Sequence, residues 1–325
     1  MAERLRLGLI GTGWITDFHL PALERLGRTN LAGVVSGTPG RAEAINARWG
    51  GKAYASLSEM LDRERLDVAY ICQPPHRAAA ASERLIERGI PFLAEKPLAA
   101  SAADAERIGA AIREHDLVVA VGYHWRSLDF LPLVRERLAD QPTRLILGRW
   151  SGGLPGPPWW RHVAESGGQT VEQATHLFDL ARFLVGEAEV VAATSTRTPR
   201  PDAPDADVDT AATAILRFEA GPIGTFTSSW IGPSSQIALE LIADGARTVV
   251  HMPPGRAQPA WELIADDGAD PVTHQTHRDP YEVQAERFLY AVEQGRQDLP
   301  FSTYDDALET DRLVLRVVAA TGSAG

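Results

Sequence analysis

Residues 4–10, RLRLGLI, form a short apolar run that ends directly at Gly11-Thr12-Gly13, and a helical pattern follows over 14–26. No other stretch limits the fold so sharply. A chain passing from strand to helix in so few residues needs glycine for the turn. Glycine also lets backbone N–H groups close on a pyrophosphate at the helix N-terminus. Thr16 stands at the third small position of a G-x-G-x-x-G/A pattern, where Gly or Ala is the norm. Gly11, Thr12, Gly13, Trp14 and Ile15 are therefore candidates for dinucleotide binding, against the plainer reading of a structural turn.

The first 122 residues keep this alternation. Apolar runs at 31–36, 67–72, 91–94 and 117–122 read as strands, with helical patterns over 41–49, 77–88 and 102–115 between them. Ser101 and Asp104 resemble a capping box opening the last of these helices. Strand–helix alternation means right-handed crossovers and a doubly wound, mostly parallel sheet. From residue 123 the texture changes. A helix over 129–139 and a strand over 144–151 lead into GGLPGPPWWRHVAESGG, too rich in Gly and Pro for regular structure, and then into a helix carrying residues 171–179. Runs at 188–197, 210–219, 223–231, 236–243, 247–252 and 260–265 follow with no helix between them, the mark of a largely antiparallel sheet. Residues 197–207 read as a mobile connection inside that sheet, and helices over 281–294 and 304–320 close the chain. The fold class is α/β: a doubly wound domain over 1–122, then an α/β domain over 123–325 with a large, mainly antiparallel open sheet.

Composition excludes several partners. The chain of 325 residues has a formal net charge of -11 and no Lys/Arg run, which disfavours nucleic acid and anionic membrane surfaces. Cys72 is the single cysteine, so there is no internal disulfide, and a reducing compartment fits. The start resembles a signal peptide only superficially, because Gly8, Gly11 and Gly13 break its short apolar run. With no apolar run near ~18 residues, a cytoplasmic protein is expected. No His/Asp/Glu cluster has metal-ligand spacing; His274 and His277 fall in a polar stretch, so no metal is expected.

The end of the second strand bears on which dinucleotide is held. Sites that prefer NAD usually place an acid there for the ribose hydroxyls. Here the chain reads VVSGTPGR, with a hydroxyl at Ser36, then Gly37, and a guanidinium at Arg41. A carboxylate would repel a 2′-phosphate, whereas these groups would hold one, which favours NADP(H) over NAD(H). The blander reading leaves Arg41 facing solvent.

Three further stretches, YICQPPHR (70–77), AEKPLA (94–99) and SGGQTVEQATHLFDLARFLVG (166–186), join the Gly loop in a pattern. Together they resemble the Gfo/Idh/MocA oxidoreductases, the family of glucose–fructose oxidoreductase, inositol dehydrogenase and the rhizopine-catabolism protein. The likeness runs on to YEVQAERFLYAVEQG (281–295). It implies a Rossmann domain followed by an α/β domain whose open sheet often serves oligomerisation, hence a homodimer or homotetramer. It also implies hydride transfer between a nicotinamide cofactor and a small sugar-like or polyol alcohol or ketone.

The same resemblance implies roles for residues. Gln73, Pro74, Pro75 and His76 resemble a cofactor-lining turn, and Glu95 and Lys96 fall beside the cofactor. Trp160 and Arg161 resemble a segment reaching the nicotinamide half, with Trp159 toward substrate, although both tryptophans could simply pack an interface. Tyr281 resembles a site tyrosine. Lys96 follows a strand, on the edge where doubly wound sheets bind ligands, and a fixed cation there would stabilise developing alkoxide charge. Oxidising an alcohol releases a proton, and His176 suits the base that takes it. Glu172 falls where many members carry Asp as the second acid of the site, to relay to His176 or to contact the substrate, and its reach is longer by a methylene.

On one straight helix Glu172, His176 and Asp179 would share a line at i, i+4 and i+7, with Leu177, Leu180, Ala181 and Leu184 on the adjacent core face. Asp179 reads as structural. Two other functions use the same fold: a glycosidase that binds NAD tightly and oxidises its sugar only transiently, and a non-catalytic dinucleotide-binding regulator.

Overall fold

The computed structural model describes residues 3–253 and 260–322. The first elements alternate as the sequence requires: β1 (Leu5–Ile10), α1 (Thr16–Leu26), β2 (Thr29–Val35), α2 (Arg41–Trp49), β3 (Lys52–Tyr54), α3 (Leu57–Arg63), β4 (Val68–Ile71), α4 (Pro75–Glu87), β5 (Phe92–Ala94), α5 (Ala102–Glu114) and β6 (Val119–Val121). Their strands form one parallel sheet in the order β3-β2-β1-β4-β5-β6. Strand order reverses at β1, between β2 and β4, so the crevice for a ligand opens at the carboxyl ends of these strands. Both faces of the sheet are buried. Leu9 and Tyr70 point to one core with Leu20, Leu23 and Leu93, and their neighbours Ile10 and Ile71 to another with Leu85, Phe92 and Ile108. That two-sided burial is why the strands read as continuous apolar runs. The Ser101 side chain accepts from the Asp104 amide, the expected cap of α5. The sequence reading missed β3 and α3; three and seven residues are too few for a period to show.

The chain continues through α6 (Leu131–Asp140), β7 (Leu145–Ser151), α7 (Val163–Ser166), α8 (Gln169–Glu172) and α9 (Thr175–Val185). Then come β8 (Ala188–Thr196), β9 (Ala211–Phe218), β10 (Ile223–Ser229), β11 (Gln236–Ala243), β12 (Ala246–Met252), β13 (Glu262–Asp266) and β14 (Val272–Gln275), followed by α10 (Pro280–Gln294) and α11 (Tyr304–Ala320). The second sheet has eight strands in the order β14-β13-β12-β11-β7-β10-β9-β8. Its pairings are antiparallel except for β7 with β10. β14 was not foreseen.

Two expected irregular stretches are more ordered than their composition suggests. Residues 152–168 hold a 3-10 turn, Pro158–Arg161, and the one-turn α7. The 197–207 connection, read as mobile, is packed down: Ala203 and Val208 are buried against Trp160 and Trp230, and Arg200 pairs with Asp202.

The chain forms two compact units, one comprising residues up to Ser127 with Asp279–Leu308, the other Leu128–Arg278 with the chain from Glu309. A single boundary at 122/123 does not describe this. Phe288 and Leu289 of α10 join the first unit's core, and Gln284 donates to the Val121 carbonyl. Arg126 is buried in that same unit, donating to the Phe301 carbonyl and pairing with Asp306. Among the described residues no helix is long and apolar enough to cross a membrane.

Candidate active site

In the first unit the phosphate loop follows β1 as its glycines demand. Gly11 has φ 96°, and a Cβ there would collide with the Cys72 carbonyl at the end of β4. Glycine at 11 is thus required by the protein itself. Gly13 is different. It is exposed, its φ is not positive, and a Cβ would meet nothing closer than the Cys72 oxygen at 3.9 Å. The protein leaves open space there, beside a helix N-terminus, which suits a pyrophosphate.

Thr16 is accommodated by its hydroxyl. Oγ1 donates to the Gly13 carbonyl at 2.7 Å, so the loop closes on itself where a smaller residue was expected. Thr12 is buried, and its hydroxyl lies 2.5 Å from that of Ser36. Trp14 is 60% exposed, edge-on to Phe18, while Ile15 packs on the core beneath.

The flanking turns gather around this loop. Ser36 ends β2 and accepts from the Thr38 amide, Gly37 follows it, and Arg41 opens α2, exposed. The turn after β4 carries Gln73, whose Cγ lies against Gly11, then Pro74 as N-cap and Pro75 at the start of α4. His76 is exposed in that first turn.

Glu95 and Lys96 follow β5. The Glu95 carboxylate is buried, 2.7 Å from His19 Nε2 of α1 and 3.3 Å from the Lys96 amide. Gly122 makes room for it, since a Cβ there would sit 2.6 Å from Oε2. Burial by itself would raise the Glu95 carboxyl, but the His19 hydrogen bond and charge and the Lys96 charge outweigh it and hold it below the usual range. Lys96 is half-buried, and the Lys96–Pro97 peptide is cis.

His124 is pushed down to about 4 by burial, opposed by Glu95 and reinforced by Lys96. Its ring stacks on Tyr281 at 4.4 Å, and Tyr281 also stacks on Phe18 and meets His19 edge-on. Tyr281 is thus the buried centre of an aromatic cluster under Glu95, and burial, then the Glu95 charge, hold its hydroxyl protonated well above the usual range. Sequence reasoning missed His19 and His124. The available signal was His19 on the apolar face of α1, next to Leu20 and four residues before Leu23.

In the second unit the straight stripe is broken. α8 ends at Glu172, residues 173–174 turn, and α9 starts at Thr175. Gln173 has φ -111° and ψ -57°, and the Ala174 amide reaches back to Gln169. Glu172 therefore does not lie under His176 on a common helix, as the i, i+4 spacing suggested. Its carboxylate instead accepts the Trp160 indole N–H at 2.9 Å.

Trp160 is buried, edge-on to Trp230, and Trp159 beside it is half-buried. Arg161 turns toward Asp205, 3.5 Å away. His176 is buried, its ring parallel to Trp150 at 6.0 Å. Asp179 is fully buried and accepts from the Thr310 hydroxyl at 2.9 Å; Thr310 in turn accepts from Arg182 at 2.7 Å. This buried anchor fixes α9 and agrees with a structural reading of Asp179. Among the described residues no group of three or more His, Cys, Asp or Glu side chains could hold a metal ion.

A parallel sheet in this order with a glycine loop after β1 defines a dinucleotide-binding Rossmann domain. Sequence profiles agree: that of the Gfo/Idh/MocA oxidoreductases, described as an oxidoreductase family with an NAD-binding Rossmann fold, matches residues 5–123, and that of the family's C-terminal domain matches 143–255. The chain belongs to this family of oxidoreductases. It is 25% identical over 232 residues to myo-inositol 2-dehydrogenase of Thermotoga maritima, covering 69% of this chain and 68% of that one. It is 26% identical over 310 residues to inositol 2-dehydrogenase of Rhizobium meliloti, covering 91% of each. Among solved structures its fold is similar to KijD10, a 3-ketoreductase from Actinomadura kijaniata in complex with NADP and TDP-benzene, with a TM-score of 0.86, 22% identity and 98% of both chains covered. Levoglucosan dehydrogenase in complex with NADH gives 0.86 at 18% identity, covering 98% and 97%.

Proposed function

We propose that this protein is an NADP(H)-preferring dehydrogenase that interconverts a secondary alcohol and a ketone, or a hemiacetal and a lactone, on a sugar-like or polyol substrate. The observation that carries this is the carboxyl edge of the first sheet. Gly13 leaves open space after β1, Gln73 lies against Gly11 after β4, and Lys96 follows β5 on the same edge. A nicotinamide dinucleotide, when bound, supplies the hydride acceptor or donor. Gly11, Thr12, Gly13, Trp14 and Ile15 hold its pyrophosphate side, with Ser36, Gly37 and Arg41 at the adenosine ribose. Gln73 to His76, Glu95, Trp160, Arg161 and Tyr281 complete or support the surround.

Lys96 donates to the reacting oxygen and stabilises negative charge on it. Glu95, fixed by His19, sets the backbone from which Lys96 projects. His176 accepts the hydroxyl proton in the oxidative direction and returns it in the reductive one. Glu172, tied to Trp160, orients the substrate with Trp159. Polyol chemistry is supported by the names of the relatives and by the tryptophans of 159–160, whose faces suit sugar C–H groups. The protein acts in the cytoplasm as a homodimer or homotetramer. The exposed Val191, Ile215 and Ile223 on β8–β10 support assembly through the second sheet.

The test is a screen of sugars, inositols and keto sugars with NADP+ and NAD+ (and the reduced forms), read at the reduced-nicotinamide absorbance band. Substrate-dependent absorbance change is expected. Sugar release with no net change would replace this reading with transient oxidation by a glycosidase.

A further inference from the structure

Gly37 has a neighbour that the sequence does not place there. A Cβ on Gly37 would sit 2.9 Å from Nη1 of Arg77, a residue 40 positions later in the first turn of α4. The two come from strands that are not adjacent, because β1 lies between β2 and β4. Two strand spacings amount to about 10 Å, a gap that a long side chain crosses and a short one does not. Arg77 crosses it to reach Gly37. Its guanidinium occupies the room that a side chain at 37 would fill.

Arg77 is exposed, and among the described residues no carboxylate pairs with it; the same holds for Arg41. Two turns further along α4, Arg84 pairs with Glu87 in the ordinary way. Both unpaired arginines also stand at the wrong end of a helix. Arg41 is the first residue of α2 and Arg77 the third of α4, where the macrodipole is positive and cations are disfavoured. The first turn of α4 contains no acid, and Pro74 caps it without a side-chain hydrogen bond. Two arginines in the first turns of two helices, one with its guanidinium against Gly37 next to Ser36, describe a place built for an anion. Departures from local preference of this kind mark functional positions.

We infer that Arg77 is a specificity-determining residue for the cofactor: it binds the 2′-phosphate of NADP(H) from the β4 side, opposite Ser36 and Arg41. Gly37 is glycine so that the guanidinium can lie flat on the backbone at the end of β2. This rests on the NADP(H) preference proposed above and assigns it to a residue outside the β2–α2 turn. An aspartate at 37 would pair with Arg77 and repel the phosphate, turning the site toward NAD(H).

The test titrates the full-length protein and its Arg77→Ala, Arg41→Ala and Gly37→Asp variants with NADP+, NAD+ and adenosine 2′-monophosphate. Arg77→Ala is expected to weaken NADP+ and adenosine 2′-monophosphate roughly ten- to hundredfold, the scale of a charge-assisted hydrogen bond, and NAD+ by less than about twofold. Gly37→Asp is expected to weaken NADP+ at least as much. The inference is overturned if Arg77→Ala keeps NADP+ affinity within about twofold, or weakens NADP+ and NAD+ equally. Wild-type protein that binds NAD+ more tightly than NADP+ overturns the underlying preference as well, which separates the two failures.

Discussion

The indole N–H of Trp160 donates to the Glu172 carboxylate at 2.9 Å, joining a 3-10 turn to the end of a one-turn helix twelve residues later. The added methylene of glutamate, relative to the aspartate expected at 172, has a partner in this bond. Trp160→Phe keeps most of the ring volume and removes the donor. A hydrogen bond to a charged group contributes about 1–3 kcal/mol, so urea denaturation should show a loss of that size. Glu172→Asp should lose a similar amount while Glu172→Gln loses less, because the amide oxygen still accepts. Equal stability in all three variants would show that the bond fixes nothing.

The two loop glycines should separate folding from binding. Gly11→Ala meets both a positive φ and the Cys72 carbonyl, and should destabilise the protein by about 3 kcal/mol or more. Gly13→Ala meets nothing closer than an ordinary contact with the Cys72 oxygen, so its thermal midpoint should stay within about 2 °C of wild type. It should nonetheless lose dinucleotide affinity by more than about tenfold, since the methyl enters the space left for phosphate. Normal dinucleotide binding by Gly13→Ala would remove the phosphate loop from the account.

His124 makes stability depend on pH in a defined window. Its folded value, about 4, lies below the ordinary value of 6.5, so the unfolded chain binds the extra proton between them. Stability is therefore fully present above about pH 6.5 and falls as pH drops toward 4. From pH 7.5 to 5 the loss from this group is about 2 kcal/mol. His124→Asn should show a pH slope flatter by that amount in denaturant titrations at the two values. Glu95, also held low, acts in the same sense but at lower pH, its contribution being lost as pH falls through the carboxylate range. An unchanged slope would contradict a buried, neutral His124.

Much of the fold was legible because its signals are local. The β1 run, the glycines after it and the Ser101–Asp104 cap each need only a few neighbouring residues, and each is found where expected. What escaped depends on distant chain. The break after Glu172 has no proline or glycine at 173–174 to announce it; the chain departs from helix through the Gln173 backbone after Gly167 and Gly168 set its start. The His19–Glu95 pair spans 76 residues, and Trp160–Glu172 depends on how a Pro-rich loop folds back. The return of α10 to the first unit has no sequence mark at all, since an amphipathic helix does not say which core its apolar face joins.

The central claim is hydride transfer assisted by Lys96 and His176, and turnover in single-site variants tests it most directly. With an accepted sugar or polyol and NADP+, the absorbance of the reduced nicotinamide should rise in wild type. Lys96→Ala and His176→Ala should each lower that rate by about 10²- to 10⁴-fold, the scale of general acid–base and electrostatic assistance, while still binding cofactor. Near-normal rates in both variants would contradict the account.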